Sequence, residues 1–372
     1  MILKNAEVFL CGSFWQIDVR INGGLIQEIG YDLCGDEICD LTGKLLLPGF
    51  IDIHTHGCCG YDFSECTLDE INEMAKFYAR NGVTSIIATT MTMADDKLIS
   101  ALSTLNKAIT EGTEGSSLIG INLEGPYISR DKSGAHDVKF LSGISQKHFN
   151  SLHKAAGENL KIVTVDPCLE NVIGFIQEYR NSMTIALGHT NCTYNQAVNA
   201  VNAGASHITH LFNAMRQPHH REPALLGVLV DRDVTAELIC DGIHIHESII
   251  RMMFKLCPSK IVLVSDSISA CGSIKSQNKL GGQKVIKEGN TALLENGSIA
   301  GSVITLNQAV KKAVKFGVEK EKAILSATLN PARVINMDNI IGSIEVGKRA
   351  DLLVTDKELN IQKVFIKGKI MV

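Results

Sequence analysis

Eight short apolar runs, separated by longer amphipathic stretches, occupy the middle of this chain. The runs are Phe50–Ile53, Ser85–Thr90, Leu118–Leu123, Lys161–Val165, Thr184–Leu187, His207–Thr209, Thr235–Ile239 and Ile261–Val264. Helical patterns such as Thr67–Asn81 and Asn195–Ala203 lie between them. Gly82-Val83-Thr84 and Gly204-Ala205-Ser206 read as helix stops that lead into strands. Eight such strand–helix units predict an α/β fold, a (β/α)8 TIM-like barrel, over residues 49–344.

The two ends look alike and differ from the middle. Ile2–Leu10, Gln16–Ile21 and Leu25–Ile29 read as strands, with Asn22-Gly23-Gly24 as a hairpin signal. Asp351–Thr355 and Ile361–Ile366 read the same way, with the turn Lys367-Gly368-Lys369 before Ile370. Residues 1–48 and 345–372 are therefore expected to build one small β-sandwich domain that brings the termini together. Thr110–Ser117 is expected to be a surface loop. Gly272–Lys284 is polar and Gly-rich, and is expected to be a loop long enough to act as a lid.

Composition narrows the function. The chain has 372 residues, 45% of them hydrophobic, and a formal net charge of −4. This affords a sizeable core and argues against nucleic-acid binding, which needs a basic face. It leaves room for one phosphate held by local donors. The first residues, MILKNAEVFLCGSF, do not read as a signal peptide, and no uninterrupted apolar segment is long enough to span a membrane. The eleven cysteines contain no CxxC pair. Reduced, mostly buried thiols in a cytoplasmic protein are the simpler expectation, and Cys58-Cys59 are assigned to packing.

In such a barrel, chemistry sits where strands end and loops begin. Polar residues arrive there run after run: Asp52, His54 and His56; Asn122 and Glu124; His189; His210 and Asn213; Asp241 and His244; Ser265 and Asp266. Residues two apart on a strand face one side, so His54 and His56 can share an ion. Imidazole with carboxylate suits zinc or iron(II) better than calcium or magnesium. Asp266 can take a proton from activated water, or serve as a ligand, or both. Each residue also has a structural alternative. A lone strand-end histidine is more often a hydrogen-bonded residue, Glu124 could satisfy a turn, and Asp266 could cap a helix. The common register favours a site. His148, His153, His219 and His246 lack that register and are assigned structural or surface roles. So is His207, placed early in its strand.

Longer motifs point further. In order they are Leu47-Pro48-Gly49-Phe50-Ile51-Asp52-Ile53-His54-Thr55-His56-Gly57, Leu123-Glu124-Gly125-Pro126, Gly188-His189-Thr190, Thr209-His210-Leu211-Phe212-Asn213-Ala214-Met215, His220-Arg221-Glu222-Pro223, Asp241-Gly242-Ile243-His244 and Ser265-Asp266. Through nearly its whole length the sequence resembles the N-acetylglucosamine-6-phosphate deacetylase family of the amidohydrolase superfamily. The resemblance implies metal-dependent hydrolysis of the acetamide of an amino-sugar phosphate by a homodimer. It implies that Glu124, His189 and His210 hold the main metal. His54 and His56 match a second-metal pair that some members lack, so one or two ions are implied, bridged by Glu124. Asp266 matches the catalytic acid/base, and His136 the residue that hydrogen-bonds the acetyl carbonyl. Arg221, with backbone amides near Asn213 and Ala214, matches the sugar-phosphate site, and His244 matches a substrate-binding histidine. One departure is Ala224, where members often have Gly; its methyl is expected to reshape the sugar pocket.

Three rivals differ in what they require. A galactosamine-epimer deacetylase would use the same residues. Cyclic amidases of the superfamily usually lack the HREP segment, and many carry a bridging lysine that is absent here. A non-catalytic sugar-phosphate-binding protein predicts loss of ligands or of Asp266, and all are present.

Overall fold

The computed structural model describes residues 1–295 and 297–371. Eight parallel strands follow one another around a nearly closed barrel: β1 Phe50–Thr55, β2 Val83–Thr90, β3 Ser117–Glu124, β4 Leu160–Val165, β5 Thr184–Leu187, β6 His207–Ile208, β7 Thr235–Ile239 and β8 Ile261–Val264. Each strand pairs with its sequence neighbour. Between the two ends of the sheet, the Asp266 amide donates to the His54 carbonyl at 2.9 Å. That bond ties the end of β8 to the end of β1, where the site residues cluster.

Helices on the outside follow the strands as the periodicity predicts. Leu68–Arg80 starts on a capping box in which Thr67 and Glu70 bond each other's backbone, and it buries Ile71, Met74, Ala75 and Tyr78. Tyr194–Ala203 starts the same way, from Thr193 and Gln196. No helix among the described residues is long and apolar enough to cross a membrane.

The chain ends meet in one six-stranded sheet. Its centre is Leu45–Pro48, which pairs in parallel with Glu7–Leu10 and antiparallel with Leu352–Thr355. A second sheet holds Ile2–Lys4, Asp18–Asn22, Leu25–Gly30 and Ile38–Asp40. The apolar side chains of both sheets join in one buried cluster that includes Leu3, Val19 and Ile26 from one and Val8, Leu46, Leu352 and Phe365 from the other. The expected single strand Ile2–Leu10 is two strands, because Asn5 takes a left-handed conformation at φ 63°.

The expectation for Gly272–Lys284 needs correction. Much of it is β-structure: Gln277–Leu280 and Gln283–Glu288 form a hairpin, extended by Thr291–Leu294 and Ile299–Gly301 into a four-stranded sheet. Leu280 pairs with Gln283 across the two-residue turn Gly281-Gly282. Both turn glycines have positive φ, 53° and 81°, the geometry that joins twisted strands most directly. Leu280, Val285, Ala292 and Leu294 give this sheet its own small core, together with Met91 and Ile268 of the barrel loops.

If the two terminal sheets depend on one core, Phe365→Ala should destabilise the protein by about 3–5 kcal/mol. Chemical denaturation would show this as a lower midpoint. A loss below about 0.5 kcal/mol, the usual range of a neutral surface change, would mean that the sheets do not rely on that contact.

Candidate metal and active site

Glu124, the last residue of β3, is buried at the centre of a histidine cluster. Its Oε1 lies 3.0 Å from His189 Nε2 and 2.9 Å from His210 Nε2. Its Oε2 lies 3.1 Å from His56 Nε2 and 3.4 Å from His54 Nε2. Oε1 therefore faces two imidazoles and Oε2 three, His136 Nε2 being 3.4 Å from Oε2. Asp266, just past β8, brings Oδ1 within 3.4 Å of His56 Nε2 and 3.6 Å of His54 Nε2.

Hydrogen bonds behind the cluster set the tautomers. His54 Nδ1 is 2.8 Å from Glu237 Oε2, and His189 Nδ1 is 2.7 Å from the Lys132 carbonyl. Both partners accept, so both Nδ1 atoms carry hydrogen. In the neutral rings Nε2 then presents a lone pair toward Glu124. Lone pairs directed at a carboxylate repel unless positive charge lies between them. His189 Nε2 and His210 Nε2 also stand 3.0 Å apart. His54 Nε2, buried, makes no hydrogen bond among the described residues. This donor set suits a divalent cation, and outer-shell acceptors on Nδ1 are the usual companions of metal-binding histidines.

The electrostatics agree. Burial works against a charged His54, yet the carboxylates of Glu237, Glu124 and Asp266 hold its pKa well above normal. His56 is opposed by burial in the same way and is raised to about 9, chiefly by Asp266 and Glu124. Burial would raise Glu124, but His54 and His189 hold it well below the carboxylate range. Asp266 is lowered against its burial by His54 and His56. The cluster thus keeps its carboxylates ionised and draws in positive charge. Cys58 is buried and Cys59 half-buried, and neither belongs to a candidate ligand group.

A cavity of about 310 Å³ opens onto the cluster. It is lined by His56, Glu124, His189, His210 and Asp266, together with His136, Asn213, Ala214 and His244. His136 Nδ1 accepts from the Thr92 amide at 3.2 Å and lies 2.8 Å from Thr92 Oγ1. Its proton is therefore on Nε2, 3.4 Å from Glu124 Oε2. Burial pushes the His136 pKa down to about 4, so the ring is a neutral donor near pH 7. Gly125 makes room for this arrangement: at its φ of +82°, a Cβ would sit 2.0 Å from Thr92 Oγ1. His244 Nδ1 is 2.6 Å from Asp241 Oδ2, which fixes that ring. His189, His210, Ala214 and Asp266 all have left-handed backbones, at φ 45°, 23°, 45° and 46°. Such strain in non-glycine residues gathers at functional sites.

Two residues fall elsewhere. Arg221 is exposed, with Nη1 2.9 Å from His220 Nε2, and does not line the cavity. Ala224 is buried and also lies outside the lining. Its φ of +49° gives the position a different meaning, because glycine takes that backbone more easily. Asn213's amide donates to the His210 carbonyl at 3.0 Å and so serves the loop itself.

Sequence reasoning missed Glu237 and Thr92. Glu237 Oε2 also accepts from the His210 amide at 2.9 Å, and its Oε1 lies 3.2 Å from His207 Nε2. His207 stays out of the cavity as expected, yet it braces the same carboxylate that holds His54. A glutamate inside the otherwise apolar run Thr235–Ile239 was the available signal.

Comparison with known proteins gives the family. Residues 45–371 match the amidohydrolase family. N-acetylglucosamine-6-phosphate deacetylase of Vibrio furnissii is 31% identical over 98% of this chain and 94% of its own length. The enzyme of that name from Danio rerio is 34% identical over 99% and 94%. N-acetylgalactosamine-6-phosphate deacetylase of Escherichia coli O157:H7 is 31% identical over 95% and 94%. Among solved structures, the Thermotoga maritima N-acetylglucosamine-6-phosphate deacetylase superposes with a TM-score of 0.91 at 30% identity, covering 100% of this chain and 99% of that one. The Pasteurella multocida deacetylase gives 0.94 at 27%, covering 99% and 98%. The chain belongs to the amidohydrolase family and, within it, to the N-acetylglucosamine-6-phosphate deacetylase family.

Proposed function

We propose that this enzyme hydrolyses the acetamide of N-acetyl-D-glucosamine 6-phosphate to D-glucosamine 6-phosphate and acetate, in amino-sugar catabolism. One observation carries the reading. A carboxylate held ionised, Asp266, and a neutral imidazole donor, His136, face one cavity with the Glu124-centred histidines. Amide hydrolysis needs a proton acceptor for water, a donor for the carbonyl oxygen and a proton for the leaving amine.

Glu124, His189 and His210 would hold one divalent ion, zinc or iron(II), and His54 and His56 would hold a second, with Glu124 between them. A bound divalent cation supplies a Lewis acid and lowers the pKa of water. Asp266 Oδ1 takes the proton of the attacking water. His136 Nε2–H donates to the carbonyl oxygen as charge develops there. Asp266 then passes its proton to the amine nitrogen, which leaves as a neutral group. His244 and Asn213 bind the sugar, and Arg221, which stands outside a single chain's cavity lining, is assigned with the Ala214 backbone amide to the phosphate. A guanidinium suits that group because its planar fork makes paired bonds. The reading includes a homodimer, a cytoplasmic location, and a barrel domain over 49–344 with a small β domain from 1–48 and 345–372.

The galactosamine epimer is a second substrate to test, because a deacetylase named for it is as similar to this chain as the Vibrio enzyme. Parallel assays on both sugar phosphates decide between them. Asp266→Asn should lower kcat by about 10²–10⁴-fold while substrate still binds by calorimetry; near-normal turnover would remove Asp266 from the chemistry. Arg221→Ala should weaken kcat/KM for the phosphorylated sugar far more than for its unphosphorylated analogue. Equal losses on both would take Arg221 out of the phosphate site.

A further inference from the structure

The hairpin that replaces the expected loop forms one wall of the catalytic cavity. Of the residues lining that cavity, Met91, Ala135, Ala214, Leu280, Ile299 and Ala300 carry apolar side chains, and all but Ala214 belong to or pack against the hairpin sheet. Met91 and Leu280 are almost fully buried, at 2% and 1% exposure, whereas Ile299 stands at the mouth with 39%. The hairpin tip is pinned from three sides. The Gly281 amide donates to Asp62 Oδ2 at 2.8 Å, Gln283 Nε2 donates to the Ala135 carbonyl, and Ser269 Oγ donates to the Lys279 carbonyl. A Cβ on Gly281 would lie 2.9 Å from Met91 Cβ, so the tip rests directly on Met91.

Met91 and Leu280 pack in one cluster and line the same cavity as His136. Met91 precedes Thr92, which holds His136 Nδ1, and Ala135 precedes His136 itself. Met91 stands at the end of β2. Asn213 and Ala214 follow β6, four strands away across the barrel, and His244 follows β7. A substrate amide whose oxygen meets His136 and whose carbon meets Asp266 has two remaining substituents. The sugar nitrogen leads toward the polar β6–β7 side. The acyl alkyl group is left with the apolar β2 side.

We propose that Met91 and Leu280 form an acyl-size wall that restricts the enzyme to short N-acyl groups. The inference rests on the deacylation reading above. A rigid apolar pocket discriminates by about 10–200-fold per added methylene, and its loss should appear at that scale. The test is kcat/KM for the N-acetyl, N-propionyl and N-butyryl forms of glucosamine 6-phosphate, with wild type, Leu280→Ala and Met91→Ala. Wild type should fall steeply from acetyl to butyryl. At least one variant should raise the butyryl-to-acetyl ratio by about 10-fold or more. Met91→Ala lies on a barrel strand end and guards against a hairpin that merely loosens, which would lower all three substrates in parallel. An unchanged ratio in both variants, including such a parallel loss, overturns the wall while acetyl turnover by wild type upholds the underlying reading. No turnover of any of the three by wild type overturns that reading and the wall with it.

Discussion

A single buried carboxylate organises this site. Glu124 meets five imidazoles, His189 and His210 on one oxygen and His54, His56 and His136 on the other, inside a barrel mouth that water barely reaches. Removing such a charge from water is costly unless positive charge surrounds it. The strand ends supply it, and the raised pKa values of His54, His56 and His210 express the same demand. Behind them Glu237 fixes His54 and the His210 backbone, while His207 and Thr235 anchor the far side. Two carboxylates thus sit in series: one faces the cavity, and the other fixes the His54 ring and the His210 backbone behind it.

That demand explains where the fold is strained. Two residues past strands β5, β6 and β8 stand His189, His210 and Asp266, each with positive φ, and their side chains line the mouth. Such conformations persist because the surrounding structure over-determines them. The Asp266 backbone is held by the His54 carbonyl on one side and by the Ser302 amide, 2.9 Å from the Asp266 carbonyl, on the other. Ser302 follows the last strand of the hairpin sheet, so the roof and the acid/base residue are joined through one segment.

Much of this was legible in the sequence, for reasons that differ by element. Thr184–Leu187, Thr235–Ile239 and Ile261–Val264 coincide with the observed strands because buried parallel strands are continuous apolar runs. His54, His56, Glu124, His189, His210 and Asp266 were readable because the barrel rule turns strand-end positions into neighbours. His136 came from resemblance to a family, since nothing local links it to Thr92, 44 residues earlier. Glu237 was hidden inside its strand. The hairpin sheet was missed because Gln277–Glu288 is rich in Lys, Gln and Gly and half of it faces solvent, so it carries little apolar signal. Arg221 and Ala224 carry motif-level meaning that a single chain's cavity does not express.

The most direct measurement is acetate release from N-acetylglucosamine 6-phosphate by the purified protein, before and after metal removal, with the metal content of each sample determined. The account predicts equimolar acetate and free amine from the loaded protein. Release should fall to background on chelation and return with zinc or iron(II). Undiminished release from protein shown to be free of metal would contradict it, as would no release from fully loaded protein.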